Sequence, residues 1–190
     1  MVLKKRADGL ITGAGAGYWD DMVDVLRRTR TKVYDFSAGG TEAAGIVLAN
    51  FIHTTGAAQG WQVNAATEWA IAKGHVPDDY LTFVSLKIYG VSEVLEPNEM
   101  HLELEMYGAA SNEPFATETI SVTNKDSETT NFIIGDVVYW DFVLADDADF
   151  GDLTAGDSVQ IKVIYEGAVA PDCATEAVFR YAVLEYTVDA

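Results

Sequence analysis

The chain has 190 residues, 49% of them hydrophobic and 11% aromatic, enough to bury a substantial core in one large domain or one domain plus an arm. That composition excludes a disordered acidic tail, and apolar runs this short and charge-interrupted exclude a membrane-spanning helix. A net charge of −18 disfavours nucleic acid or an anionic membrane as partner of the body, and the single cysteine, Cys173, excludes an intrachain disulfide.

The charge is unevenly placed. Residues 1–32 sum to +3, through Lys4, Lys5, Arg6, Arg27, Arg28, Arg30 and Lys32, whereas residues 33–190 sum to −21. The start, Met-Val-Leu-Lys-Lys-Arg, has the basic character of an export signal, but no continuous apolar stretch follows it, so export by that route is not expected. Residues 1–17 turn Gly/Ala-rich after the basic cluster and read as a mobile arm. Residues 18–31 read as a short amphipathic helix. Trp19, Met22, Val23 and Leu26 fall on one face, with Asp20, Asp21 and Asp24 early and Arg27, Arg28 and Arg30 late, as the helix dipole prefers. So short a helix needs a docking partner, either its own body or a neighbouring subunit. Those four apolar residues and three arginines are the expected assembly contacts.

From residue 33 the periodicity drops to two. Candidate strands are 33–36, 46–53, 68–75, 82–89, 101–107, 116–123, 136–144, 158–166 and 176–188. In 82–89, Val84, Leu86 and Ile88 alternate with Phe83, Ser85, Lys87 and Tyr89. In 101–107, Leu102, Leu104 and Met106 alternate with His101, Glu103, Glu105 and Tyr107, the pattern of a half-buried strand. In 137–143, Val138, Trp140 and Phe142 oppose Val137, Tyr139 and Asp141; apolar on both faces, this strand is expected to be covered on both. Pro77-Asp78-Asp79, Glu96-Pro97-Asn98, Asn124-Lys125-Asp126 and Ala155-Gly156-Asp157 supply the turns. Eight or nine such strands predict an all-β, antiparallel jelly-roll β-sandwich over 33–190, preceded by the arm and helix of 1–32.

No motif reads as a catalytic centre. Gly13-Ala14-Gly15-Ala16-Gly17 lacks the Lys-Ser/Thr pair of a phosphate loop and is followed by carboxylates, so a hinge is the plainer reading. His53, His75 and His101 lie too far apart for a His-x-His metal pair. The carboxylates from Asp146 to Asp157 depart from the spacing of a calcium-binding EF-hand and read as an exposed turn. No Gly-x-Ser-x-Gly occurs, and Glu103 with Glu105 is the pairing any wet strand produces. Trp61, Trp69, Trp140, Tyr80, Tyr89, Tyr107 and Tyr139 are the candidates for a sugar-stacking platform; aromatics serve cores and interfaces equally. No cofactor and no metal are expected.

Two stretches carry a resemblance. Ala7-Asp8-Gly9-Leu10-Ile11-Thr12, continuing to Gly17-Tyr18-Trp19-Asp20-Asp21-Met22, resembles the opening of structural proteins from tailed-phage and environmental virus genomes. Trp69 through His75-Val76-Pro77-Asp78-Asp79 to Leu86 resembles the strand, Val-Pro-Asp-Asp, strand pattern of jelly-roll virion proteins, and Leu153-Thr154-Ala155-Gly156-Asp157 before an alternating strand fits the same family. The resemblance covers about a third of the chain. It implies a non-enzymatic capsid shell, cement or decoration subunit, trimeric or similarly symmetric, resident in the virion after assembly in the host cytoplasm, with other capsid proteins as partners. The alternative from the residues themselves is a carbohydrate- or receptor-binding module, lectin-like or at a fibre tip.

Overall fold

The computed structural model describes residues 4–5, 11–12, 28–41, 47–53, 56–62, 68–93, 99–110, 113, 118–128, 130–131, 133–164 and 177–189. Among these residues the architecture is an all-antiparallel β-sandwich, near to a closed barrel and jelly-roll-like. The short strands β1 (Lys4–Lys5) and β2 (Ile11–Thr12) pair with each other. The body comprises β3 (Arg28–Thr41), β4 (Val47–His53), β5 (Gly56–Gln62), β6 (Glu68–His75), β7 (Thr82–Ser92), β8 (His101–Ala109), β9 (Glu118–Asp126), β10 (Val137–Phe142), β11 (Ser158–Ile164) and β12 (Ala177–Val188). A 3-10 turn spans Ala148–Asp152 between β10 and β11.

The strands run in the order β10-β7-β12-β3-β6-β11-β8-β9, and β3 is the corner. Its first half pairs with β12 from Arg28–Val188 to Asp35–Tyr181, and its second half with β6 from Phe36–Ala72 onward. Changing partners between Asp35 and Phe36 folds the sheet over on itself, as one strand shared by two layers does. Where β3 leaves β12, the β4–β5 hairpin arrives, and Trp61 pairs with Phe179. A side chain at Gly60 would put its Cβ 2.3 Å from the Phe179 carbonyl oxygen, so only glycine permits this approach.

Strict alternation sends Leu102, Leu104 and Met106 from β8, Val159, Ile161 and Val163 from β11, and Val138, Trp140 and Phe142 from β10 into one core. The buried Trp140 indole donates to the main-chain oxygen of Met100 at 2.9 Å, so its polar edge is satisfied without water. The two ends of the strand order are tied together. Glu128, just past β9, donates its N–H to the Tyr139 oxygen on β10 at 3.0 Å, Lys125 pairs with Asp146 at 2.9 Å, and Asp147 accepts the Ser121 N–H at 3.0 Å. These links cover edges that would otherwise invite another strand.

Two expectations need correction. Residues 28–31, expected to end a helix, begin β3, so the boundary set at 32/33 falls inside a strand. The ladder with β12 fixes their conformation, and tertiary pairing overrides a weak local preference. Residues 18–27 lie outside the described residues. In β7, Val84 does not share the inward face of Leu86 and Ile88. The register with β12 slips between Glu185–Ser85 and Tyr186–Phe83, so Val84 is the extra residue of a bulge and Phe83 turns into the core, stacked on Phe150 at 4.5 Å. The segment 56–62, which no candidate strand covered, is β5.

Candidate interaction face

The two outer faces of the sandwich differ in chemistry. On the face formed by β6, β11, β8 and β9, alternation turns Lys73, Gln160, Lys162, Glu105 and Tyr107 outward. Lys162 donates to Glu105 at 2.8 Å and lies over the Trp69 ring at 4.7 Å, and the Tyr107 hydroxyl donates to Glu105 at 2.5 Å. Its bond to a carboxylate, with some burial, raises the Tyr107 phenol to about 12. Burial alone would raise the Glu105 carboxyl, but Lys162 and Tyr107 together hold it below the usual range. This is a wet face on which Lys162, Glu105 and Tyr107 are bonded to one another.

The face formed by β10, β7, β12 and the first half of β3 is apolar by comparison. Of the eight large hydrophobic side chains exposed among the described residues, seven lie on it or in the turns at either end of β10. Val33 (53% exposed), Val84 and Val137 (58%) belong to its strands, and Val143 and Leu144 follow β10. Ile133 and Ile134 precede it, in a turn closed by the Asp136 N–H donating to the Ile133 oxygen at 3.1 Å with Gly135 at φ 96°. Positive φ at the third position is what a type II turn demands, and it holds two isoleucines at the tip. The eighth, Leu81, sits at the end of the sandwich beside Asp79 and Asp189.

A row of tyrosines crosses the centre of this face. Tyr89 on β7 stacks on Tyr139 of β10 at 5.6 Å and on Tyr181 of β12 at 5.0 Å, all three half-buried, and the Arg180 guanidinium lies 5.9 Å from the Tyr181 ring. Burial raises the Tyr89 phenol despite the opposing effect of Lys87. In the adjoining row Lys87 donates to Glu185 at 3.0 Å and lies 3.9 Å from Asp141, and the Ser85 hydroxyl also donates to Glu185 at 3.0 Å. The Lys87 hydrogen bond holds Glu185 below the usual carboxylate range. Burial would lower Lys87, but these carboxylates raise it. Lys87 and Glu185 are thus paired within the chain, Arg180 and Asp35 stand exposed, and the rest of the face is largely valine and tyrosine.

Of the residues expected to carry assembly, Trp19, Met22, Val23, Leu26 and Arg27 lie outside the described residues. Arg28 and Arg30 are exposed on β3, where Arg30 pairs with Asp79, whose other oxygen accepts the Tyr186 hydroxyl at 3.1 Å. The aromatic set does not come together. Trp140 is in the core, Trp61 packs against it, Tyr80 is buried against Tyr186, Trp69 and Tyr107 occupy the wet face, and only Tyr89 and Tyr139 share the apolar one. Tyr181 completes their row, a position visible in the sequence only once the register with Tyr89 is known. The carboxylates of 146–157 fasten the chain to itself: Asp147 caps the 3-10 turn, and buried Asp157 accepts from the Thr154 N–H at 2.7 Å and hydroxyl at 2.9 Å. Among the described residues no three His, Cys, Asp or Glu side chains gather as metal ligands, and no helix is long and apolar enough to cross a membrane. No protein-family model matches the chain, and comparison with curated proteins gives no significant match.

Proposed function

We propose that this chain is a structural subunit of a virus particle, a capsid shell, cement or decoration protein that acts by binding and not by chemistry. In this reading it forms a homo-oligomer, trimeric by preference, and packs against other capsid proteins. The observation that carries the reading is the asymmetry of the sandwich: a wet, polar face on one side, and on the other a face that, with the turns at either end of β10, bears seven of the eight exposed large hydrophobics among the described residues. Monomeric proteins seldom leave such a patch open, and a subunit with one wet and one apolar face is built to be covered on one side. The phage resemblance supplies the kind of assembly, and the near-closed edges fit a unit that packs through side chains and not by adding strands.

The test is twofold. Light scattering is expected to give the purified full-length chain a defined oligomeric mass, and particles purified from its source are expected to contain it at a fixed ratio to the major shell protein. A monomer that is absent from such particles overturns the reading. The tyrosine row favours a second reading, a glycan- or receptor-binding module. Stacked rings 5.0–5.6 Å apart face one another, however, and leave little ring surface for a sugar. Glycan-array binding abolished by Tyr139→Ala would move the assignment there.

A further inference from the structure

We infer that the partner seated on the apolar face is a second copy of this chain. The inference rests on the assembly reading above and names the occupant of its surface. Three observations carry it. The first is charge. The chain as a whole has a net charge of −18, so two copies repel wherever their acidic surfaces meet. On the apolar face Lys87 and Arg180 stand against Asp35, Asp141 and Glu185, close to balance, and two copies meet there with the least repulsion. Secondly, Lys87 is already held by Glu185 and Asp141, and Glu185 by Ser85, so the charges that stand exposed on the face are Arg180 and Asp35, one of each sign, which two copies can offer each other. A surface of the same kind, Val33, Val137 and the tyrosine row, is what complements it.

The third is size. Four strands about 4.8 Å apart, over seven residues at about 3.3 Å each, give roughly 20 by 23 Å, on the order of 450 Å² per copy and 900 Å² for two. That is just below the range of about 1,000–1,200 Å² at which stable specific interfaces begin, so one such contact is weak by itself. A contact of that size suits a subunit whose copies hold one another many times over in an assembly.

The experiment is light scattering across a concentration series on full-length protein, with Val33→Lys, Val137→Lys and, on the opposite face, Gln160→Lys. Val33 and Val137 are more than half exposed, so either lysine is compatible with the folded monomer, and circular dichroism verifies this for each variant. Expected is an oligomer in the parent and in Gln160→Lys, with association weakened about tenfold or more by Val33→Lys and by Val137→Lys. If the parent is an oligomer and both face variants keep its mass, the inference fails while the assembly reading stands. Equal loss in Gln160→Lys also overturns it, because the effect is then one of added charge anywhere. A monomer in every sample sinks both.

Discussion

Val137 and Val138 are neighbours on β10 and opposites in environment, the first 58% exposed and the second fully buried against the core. One step along a strand crosses from the candidate interface to the interior, so the same chemistry is worth different amounts at the two positions. Val138→Ala is expected to cost the monomer about 2 kcal/mol, through lost burial and the cavity left behind. Val137→Ala is expected to stay within about 0.5 kcal/mol. Urea denaturation of dilute protein checks both, and equal costs would show that Val137 is covered within its own chain.

Trp140→Phe removes the donor to the Met100 oxygen and leaves space beside Phe179, whose ring centroid is 5.9 Å away. The Met100 oxygen keeps the Ser127 N–H at 2.9 Å, so the expected loss is about 2–3 kcal/mol, from one buried hydrogen bond and a smaller ring. A shift in the denaturation midpoint at constant slope is the readout; a change in slope would mean that the native or denatured state had been altered as well.

Acid should weaken the fold through Glu105 and Glu185, whose carboxyls are held below their usual range. A depressed folded pKa contributes stability that is fully present above the unfolded value, about 4.3, and is lost as pH falls through the folded one. Water still reaches both pairs, so each contributes about 0.5–1 kcal/mol. Thermal unfolding of Glu105→Gln/Glu185→Gln between pH 7 and pH 2 should therefore fall less steeply below about 4.3 than the parent does. Parallel curves would show that other groups govern the acid limb.

At the alkaline end the sign is reversed. The Tyr107 phenol is raised to about 12, so its bond to Glu105 contributes below the ordinary phenol value of about 10 and is lost as pH rises through 12. Tyr107→Phe should flatten the loss of stability across that interval, measured as the denaturation midpoint at each pH.

Truncation separates arm from body. Deleting residues 1–27 is expected to leave the sandwich folded and loosen its assembly, whereas deleting 1–32 also removes the ladder from Arg28–Val188 to Lys32–Leu184. The longer deletion should therefore melt several degrees lower for the loss of about five ladder residues, while the shorter melts with the parent. Unchanged mass after the shorter deletion would remove the arm from the assembly contacts.

Much of the body was legible because alternation is strict wherever one face is wet. Leu102, Leu104 and Met106 could be placed in the core by period alone, whereas 137–143, apolar on both faces, did not show that Val138, Trp140 and Phe142 are the buried set. Three features were hidden for physical reasons. β5 is rich in Gly and Ala, since Gly60 must pass the Phe179 carbonyl, and its composition erases the signature of a strand. The Val84 bulge is a property of two strands, and no single strand records it. The arginines at 28 and 30 balance a helix dipole as well as they line a strand, and pairing with β12 decides between the two. The candidate face was only half visible. Tyr89 and Tyr139 stood out as aromatics, but the exposure of Val33 and Val137 depends on what the chain leaves uncovered, a property of the whole fold.

The shared strand β3 also has a mechanical meaning. A pull transmitted from residues before Arg28 enters at the start of β3 and runs along it, at right angles to the bonds it makes with β12 from Arg28–Val188 to Asp35–Tyr181. Those bonds are loaded in shear, many at once, and cannot be opened one after another like a zip. Beyond Asp35 the same strand hands the load to β6 in the other layer. A subunit tethered by its N-terminal end would therefore take strain through both layers together, with the core clamped between them.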